Sequence, residues 1–241
     1  MATTTTASPS TDSFCARWLG CVPFSDAHAL QLDLLSARAS SSIPDTLLLL
    51  SHPPVLTAGR STTPSELAAA RSLLSSTDIP VVEVERGGRL TFHHPGQLIA
   101  YPIFSLDVCY RDLHRWLALL EEATIRTLAA FSVDAHRDPS ARGVWTCRGK
   151  IASVGVAVRR WVSYHGVALN VGPARVLPGL SLCGLSPDQY VGLADLGVEG
   201  ELSAVARVFA YELADVCGLI QATPLDCSGP VGGLTAERVA R

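Results

Sequence analysis

Residues 86–97 read Arg86-Gly87-Gly88-Arg89-Leu90-Thr91-Phe92-His93-His94-Pro95-Gly96-Gln97 and lie between two apolar runs, 79–84 and 98–104. Both runs read as buried strands. Glycine allows positive φ and the close approach of a backbone that side chains would block. A plain hairpin connection needs only about two to five residues. A junction this long, carrying glycines and paired histidines, is either a pocket wall or an ornate turn, and the fold must accommodate it between two strands.

At 241 residues, with 48% hydrophobic and 17% charged residues, the chain has enough apolar material for a generous core. The net charge of −3 gives no whole-molecule case for nucleic acid. Apolar runs such as 47–50 and 98–104 fall far short of the roughly 18 residues that span a bilayer, so a soluble protein without a membrane partner is expected. Cysteines at 15, 21, 109, 147, 183, 217 and 227 show no C-x-x-C spacing, and no secretory signal precedes them. Reduced thiols in a cytosol-like compartment are the expectation. Residues 1–14, rich in Thr and Ser without Arg or Lys, read as a disordered tail and a poor transit peptide. The expected compartment is the cytoplasm, with mitochondria as the alternative, and residues 15–241 are expected to form a single catalytic domain.

The periodicities predict helices over 27–37, 64–74, 112–131 and 201–216. In the third, Leu113, Trp116, Leu117, Leu120, Thr124 and Leu128 recur at three- and four-residue steps as one apolar stripe. Residues 46–50 read as a strand ended by His52-Pro53-Pro54, and 150–171 as a hairpin. With Arg159-Arg160 as its turn, Ser153 lies opposite Gly166, although Arg-Arg lacks the Gly or Asn that two-residue turns favour. Strand runs mixed with separated helices predict an α+β domain, a mixed β-sheet flanked by helices.

Several candidates for chemistry stand out. Residues 143–150 superficially resemble a phosphate loop, but the spacing is wrong and Ile151 stands where a magnesium-binding hydroxyl belongs. His93, His94 and His165 are possible metal ligands, yet no Asp or Glu lies close enough in sequence to complete a set. Structural or substrate-positioning roles suit them better, and no metal is expected. Cys183, before Gly184, sits in an irregular loop. Thiolate chemistry there needs a nearby cation, which Lys150 could supply; the alternatives are a small buried hydrophobe and a solvated lysine.

Taken together, four segments resemble the octanoyl-[acyl-carrier-protein]:protein N-octanoyltransferase family, the lipoyl/octanoyl transferases. They are Arg86-Gly87-Gly88 through Thr91-Phe92-His93 to Pro95-Gly96-Gln97; Gly149-Lys150-Ile151-Ala152-Ser153-Val154-Gly155; His165-Gly166-Val167-Ala168-Leu169-Asn170; and Cys183-Gly184. The resemblance implies a fold similar to the catalytic domain of biotin- and lipoate-protein ligases. The activity implied is transfer of octanoyl from octanoyl-acyl carrier protein, through a cysteine thioester, to a specific lysine of lipoyl domains. The acceptors would be lipoyl domains of 2-oxoacid dehydrogenases and the glycine-cleavage H protein, with no ATP, metal or other cofactor.

Residue by residue, the resemblance implies Cys183 as nucleophile and Lys150 as the residue that activates it. Arg86, Gly87, Gly88, Arg89, Leu90, Thr91, Phe92 and His93, then Ser153, Val154 and Gly155, then Gly166, Val167 and Ala168, match the acyl-substrate segments. Three positions depart from the pattern. His94 stands in place of a usual Gly, and if that site needs positive φ, His is one of the more tolerant replacements; Gly149 replaces a common basic residue; and Val191-Gly192-Leu193 replaces Thr-Ser-Leu. The alternatives are an ATP-dependent ligase-type enzyme and a catalytically silent acyl-binding protein of the same fold. A patch from Arg137, Arg142, Arg148, Arg159 and Arg160 is expected to guide the acidic carrier protein.

Overall fold

A computed structural model describes residues 13–109, 111–139, 141–177, 179 and 185–221. In chain order its main elements are β1 (Ser13–Cys21), α1 (Phe24–Ala39), β2 (Asp45–Ser51), β3 (Val55–Ala58), α2 (Pro64–Leu74), β4 (Val81–Glu83) and β5 (Leu90–His93). There follow β6 (Gln97–Ile103), α3 (Leu113–Ala130), β7 (His136–Asp138), β8 (Ala141–Thr146), β9 (Gly149–Arg159), β10 (Val162–Asn170), α4 (Leu202–Cys217) and β11 (Ile220–Gln221). Among the described residues the large sheet runs β11-β1-β2-β6-β10-β9-β8-β7, with parallel and antiparallel pairs, and a small sheet runs β4-β3-β5. This is the expected mixed-sheet α+β fold.

The central strands are buried on both faces, which is why their sequences run apolar without alternation. Leu47 and Leu49 of β2, with Leu98 and Ala100 of β6, pack against Trp116 and Leu120 of α3 and Phe209 of α4. Leu48 and Leu50, with Ile99 and Tyr101, face Leu30 and Leu34 of α1. The sheet therefore separates two cores. Among the described residues, no helix is long and apolar enough to cross a membrane.

Local chemistry sets the helix ends. Thr63 and Glu66 form a capping box ahead of α2, with Pro64 at its first position. Asp112 accepts from the backbone N–H groups of His114 and Arg115 to start α3. Gly218, at φ 65°, closes α4 in the left-handed conformation.

Four expectations change. Ser13 and Phe14, assigned to the tail, begin β1, and Phe14 is fully buried. The 79–84 run yields a short, half-buried edge strand of the small sheet rather than a buried strand. The junction 86–97 therefore crosses between two sheets and carries β5 within it. Finally, the β9–β10 turn is Arg160-Trp161, both at positive φ, so Ser153 pairs with Ala168 and Gly155 with Gly166. Moving the turn by one residue shifts pairing by two, which leaves every side chain on its original face. The hydrophobic pattern could not distinguish the two registers. The turn is held from outside: Leu106 N–H donates to the Trp161 carbonyl at 2.8 Å, and Arg111 lies over the Trp161 ring.

Candidate functional site

The Arg86-Gly87-Gly88 loop docks on β9 through glycines. Gly87 N–H donates to the Val156 carbonyl at 3.0 Å. A Cβ on Gly155 would stand 2.9 Å from the Gly87 oxygen, and one on Gly59 would stand 2.4 Å from the Gly88 oxygen. Across the ladder, a Cβ on Gly166 would meet the Ala100 carbonyl at 2.2 Å. The small residues are thus required by backbone approach, and they open space beside β9 and β10.

Arg86 is buried and ties the loop together. Its guanidinium donates to the carbonyls of Gly87 and Arg89 at 3.1 and 3.0 Å, and to the Thr57 carbonyl and hydroxyl at 3.1 and 2.7 Å. Next to it, His93 Nδ1 lies 2.8 Å from the Gln97 side-chain oxygen and Nε2 3.1 Å from the Thr57 hydroxyl. Since Gln97 accepts there, Nδ1 carries the proton and Nε2 is left to accept from Thr57. Burial, followed by the charges of His52 and Arg86, holds His93 well below the ordinary histidine range.

These groups border a cavity of about 440 Å³, within the roughly 300–1,000 Å³ typical of small-molecule sites. Arg86, Gly87, Gly88, Arg89, Thr91, His93, Lys150, Ser153, Val154, Gly155, Gly166, Val167 and Ala168 all line it. Leu90 and Phe92 do not. They alternate to the opposite face of β5 and pack with Leu56, Ala70 and Leu74. Cys183 and Gly184 lie outside the described residues. Leu113 and Leu117 from α3, Phe24 from α1, and Ile99 and Tyr101 from β6 also contribute to the wall. Their approach depends on long-range packing that no local motif signals. His165 reaches the cavity too, from a backbone at φ 57°.

Lys150 is buried, with Nζ 5.6 Å from the Trp145 ring centroid. Gly143 makes room for it: a Cβ there would lie 2.8 Å from Lys150 Cε. The Lys150 carbonyl accepts from Val191 N–H at 3.0 Å, so the loop after residue 185 is stitched to β9 beside this lysine.

Residues 23–176 match the lipoyl protein ligase A/B catalytic domain family. The chain belongs to that family. It is 49% identical over 155 residues to an octanoyltransferase from Geobacter metallireducens, covering 64% of this chain and 70% of the relative. A bi-partite lipoate protein ligase from Thermoplasma acidophilum has the same fold, with TM-score 0.68, 16% identity, and coverage of 95% of this chain and 91% of the other. A biotin protein ligase from Aquifex aeolicus is more distant, with TM-score 0.54, 11% identity, and coverage of 84% and 70%.

Within this lipoyl protein ligase A/B catalytic domain, the three departures have backbone explanations. Gly149 stands at φ 146°, and a Cβ there would meet the Gln189 carbonyl at 2.5 Å, so the local backbone excludes a basic side chain. A Cβ on Gly192 would fall 1.9 Å from the Gly172 oxygen. Asn170 and Asp195 anchor this loop: Asn170 donates to the Val191 carbonyl at 3.0 Å, and Asp195 accepts from Gly192 and Ala174 N–H groups at 2.8 Å each. His94 does not stand at positive φ, so the site makes no such demand on it. Its Nδ1 accepts from Gly96 N–H at 3.1 Å, and burial followed by Arg175 lowers it to about 4. The close approach belongs to Gly96, whose Cβ would stand 3.2 Å from the His94 ring.

The histidines that line the cavity, His93 and His165, are both held toward the neutral imidazole. His165 is pushed down to about 4, chiefly by burial and then by Arg86 and His28. Among the expected guiding arginines, Arg137 and Arg142 pair with Glu121, and Arg148 donates to the Asp195 carbonyl. Their charge is partly satisfied inside the molecule. Arg159 and Arg160 stand at the tip of the β9–β10 hairpin.

Proposed function

We propose that this acyltransferase takes an octanoyl group from octanoyl-acyl carrier protein onto Cys183 as a thioester. It then passes the group to a specific lysine of lipoyl domains, such as those of 2-oxoacid dehydrogenases and the glycine-cleavage H protein. The observation that carries this reading is a single cavity that joins buried Lys150 to an apolar wall of Ile99, Val154, Val156 and Val167. The octanoyltransferase relative at 49% identity supports the acyl chemistry.

The steps follow from thiol physics. A free cysteine, with a pKa of about 8.5, is only a few per cent thiolate at neutral pH, and an adjacent ammonium favours the ionised form. The Cys183 thiolate attacks the octanoyl thioester carbonyl. The bond from that carbon to the carrier's pantetheine sulfur breaks, and the carrier leaves as a thiol after taking a proton from the Lys150 ammonium, which leaves Lys150 as a neutral amine. One thioester replaces another, so no ATP is needed and no metal is required. The target lysine attacks next as a neutral amine, its proton passing to Lys150 or a neutral histidine. The amide then forms as the Cys183 sulfur departs. Backbone N–H groups near the glycines stabilise the tetrahedral oxyanion. The apolar wall holds the acyl tail, at about 0.8 kcal/mol per buried CH₂.

Incubation with octanoyl-acyl carrier protein and a lipoyl domain, without ATP, tests the assignment. Octanoylated lipoyl domain is the expected product. A requirement for ATP with free octanoate would replace this reading with a ligase. Acyl binding without transfer would mark a silent acyl-binding protein.

A further inference from the structure

Outside the Lys150 region, a second cluster forms where α1, the segment after β4 and β10 meet. His28 Nε2 lies 3.1 Å from Glu85 Oε2, and His165 Nε2 lies 3.4 Å from the same oxygen. The three ligand-type atoms all lie within 4.8 Å of one another. The two imidazoles stack with centroids 5.5 Å apart and planes at 20°, and both direct Nε2 at the same Glu85 oxygen. The transfer chemistry does not call on His28 or Glu85.

The backbone contributes to it. His165 is a non-glycine residue at φ 57° within β10, a conformation that costs free energy unless its surroundings impose it. Buried Gln31 of α1 accepts from its backbone N–H at 2.7 Å, and the ring is thereby directed toward His28 and Glu85.

We propose that His28, Glu85 and His165 form a binding site for a divalent transition-metal ion of the zinc class at the cavity wall. Two imidazoles and one carboxylate, with one position left open, are a recurring ligand set for Zn²⁺. Zinc–nitrogen and zinc–oxygen bonds of about 2.0–2.2 Å at tetrahedral angles separate neighbouring ligand atoms by about 3.4 Å. The observed 3.1 and 3.4 Å contacts are close to that edge length. The ion would occupy the space between the three groups, replacing the protons that otherwise bridge each Nε2 to Glu85. The residues come from positions 28, 85 and 165, so the fold assembles a set in which no two members are neighbours in sequence. Because His165 lines the cavity, a bound ion adds charge to its wall.

Cobalt titration of chelator-treated full-length protein is the direct test, since Co²⁺ occupies zinc sites and reports its ligands by absorption. The expected result is one equivalent bound with visible bands but without the intense near-ultraviolet bands of thiolate ligation, together with a metal-dependent rise in Tm. His28→Ala and Glu85→Gln should weaken binding by more than the roughly 10–100-fold that loss of an outer-shell partner costs. Glu85→Gln preserves shape at a partly exposed position, so its metal-free Tm should match the parent's and the comparison does not depend on a misfolded variant. A Cys21→Ser/Cys147→Ser variant, lacking the two exposed described thiols, should bind as the parent does. Failure to bind Co²⁺, thiolate bands, or binding unchanged in both Glu85→Gln and His28→Ala would overturn the proposal.

Discussion

Gln97 donates its side-chain N–H to the Asn170 side-chain oxygen at 2.9 Å, joining the end of the 86–97 segment to the end of β10. From there the chain of contacts continues in both directions. Gln97 accepts from His93 on the cavity side, and Asn170 donates to the Val191 carbonyl on the other. Val191 N–H in turn donates to the Lys150 carbonyl. The cavity wall and the loop beside Lys150 are therefore parts of one buried polar network.

Asn170→Ala cuts that network in the middle. It leaves the buried Gln97 amide and the Val191 carbonyl without these partners, at about 1–3 kcal/mol for each stranded group. Denaturant unfolding should show a loss of that order. Asn170→Asp should also be costly, because an ionised carboxylate cannot donate to Val191.

Gly155 and Gly166 face each other in the ladder but should respond differently to alanine. At Gly166 the added Cβ meets the Ala100 carbonyl at 2.2 Å, within the sheet itself. Gly166→Ala should lose about 1–3 kcal/mol of stability or more, from overpacking. At Gly155 the obstacle is the Gly87 carbonyl at 2.9 Å, on a loop that can retreat. Gly155→Ala should retain more stability while lowering the rate of acyl transfer, and paired unfolding and transfer assays measure the contrast.

Arg86→Lys tests whether the fork or the charge matters. Lysine keeps the charge but cannot reproduce donation to Thr57, Gly87 and Arg89 from one planar group. Transfer activity should fall in Arg86→Lys nearly as far as in Arg86→Met. Near-parental activity in the lysine variant would show that charge alone suffices.

Acid should destabilise the fold through its buried neutral histidines. His52 donates from Nδ1 to the Val22 carbonyl at 2.7 Å, so its Nε2 accepts from the Tyr101 hydroxyl at 2.8 Å. Burial lowers His52 from 6.5 to about 4. The unfolded chain therefore binds more protons between those values. Its contribution is fully present above about pH 6.5 and is lost as pH falls through 4. His52→Gln should reduce the slope of stability against pH near pH 5 by about 1.4 kcal/mol per unit, the value for one proton. Urea midpoints across pH 4.5–7 provide the measurement.

The sequence makes the helices and the broad fold legible because their signals are local. The predicted 64–74 coincides with α2, and 112–131 and 201–216 fall within a residue of α3 and α4, whereas α1 begins at Phe24, ahead of the predicted 27. Long-range placement is harder to read. The apolar stripe of α3 looks uniform in sequence, yet Trp116 and Leu120 enter the core whereas Leu113 and Leu117 border the cavity. β3 is a short strand whose partners, β4 and β5, lie beyond α2 in the chain, and β7 spans only three residues. Much of the candidate site is visible through its glycines, but Leu90 and Phe92 lie inside a matching motif and still face away. The convergence of His28 and Glu85 on His165 had no local signal because three separate elements create it.

Acyl transfer through Cys183 is tested by the intact mass of the protein after brief exposure to octanoyl-acyl carrier protein. One octanoyl adduct is expected, mapped to Cys183 by peptide analysis, discharged by a lipoyl domain and absent from Cys183→Ala. Undiminished transfer to the lipoyl domain by Cys183→Ala would contradict it.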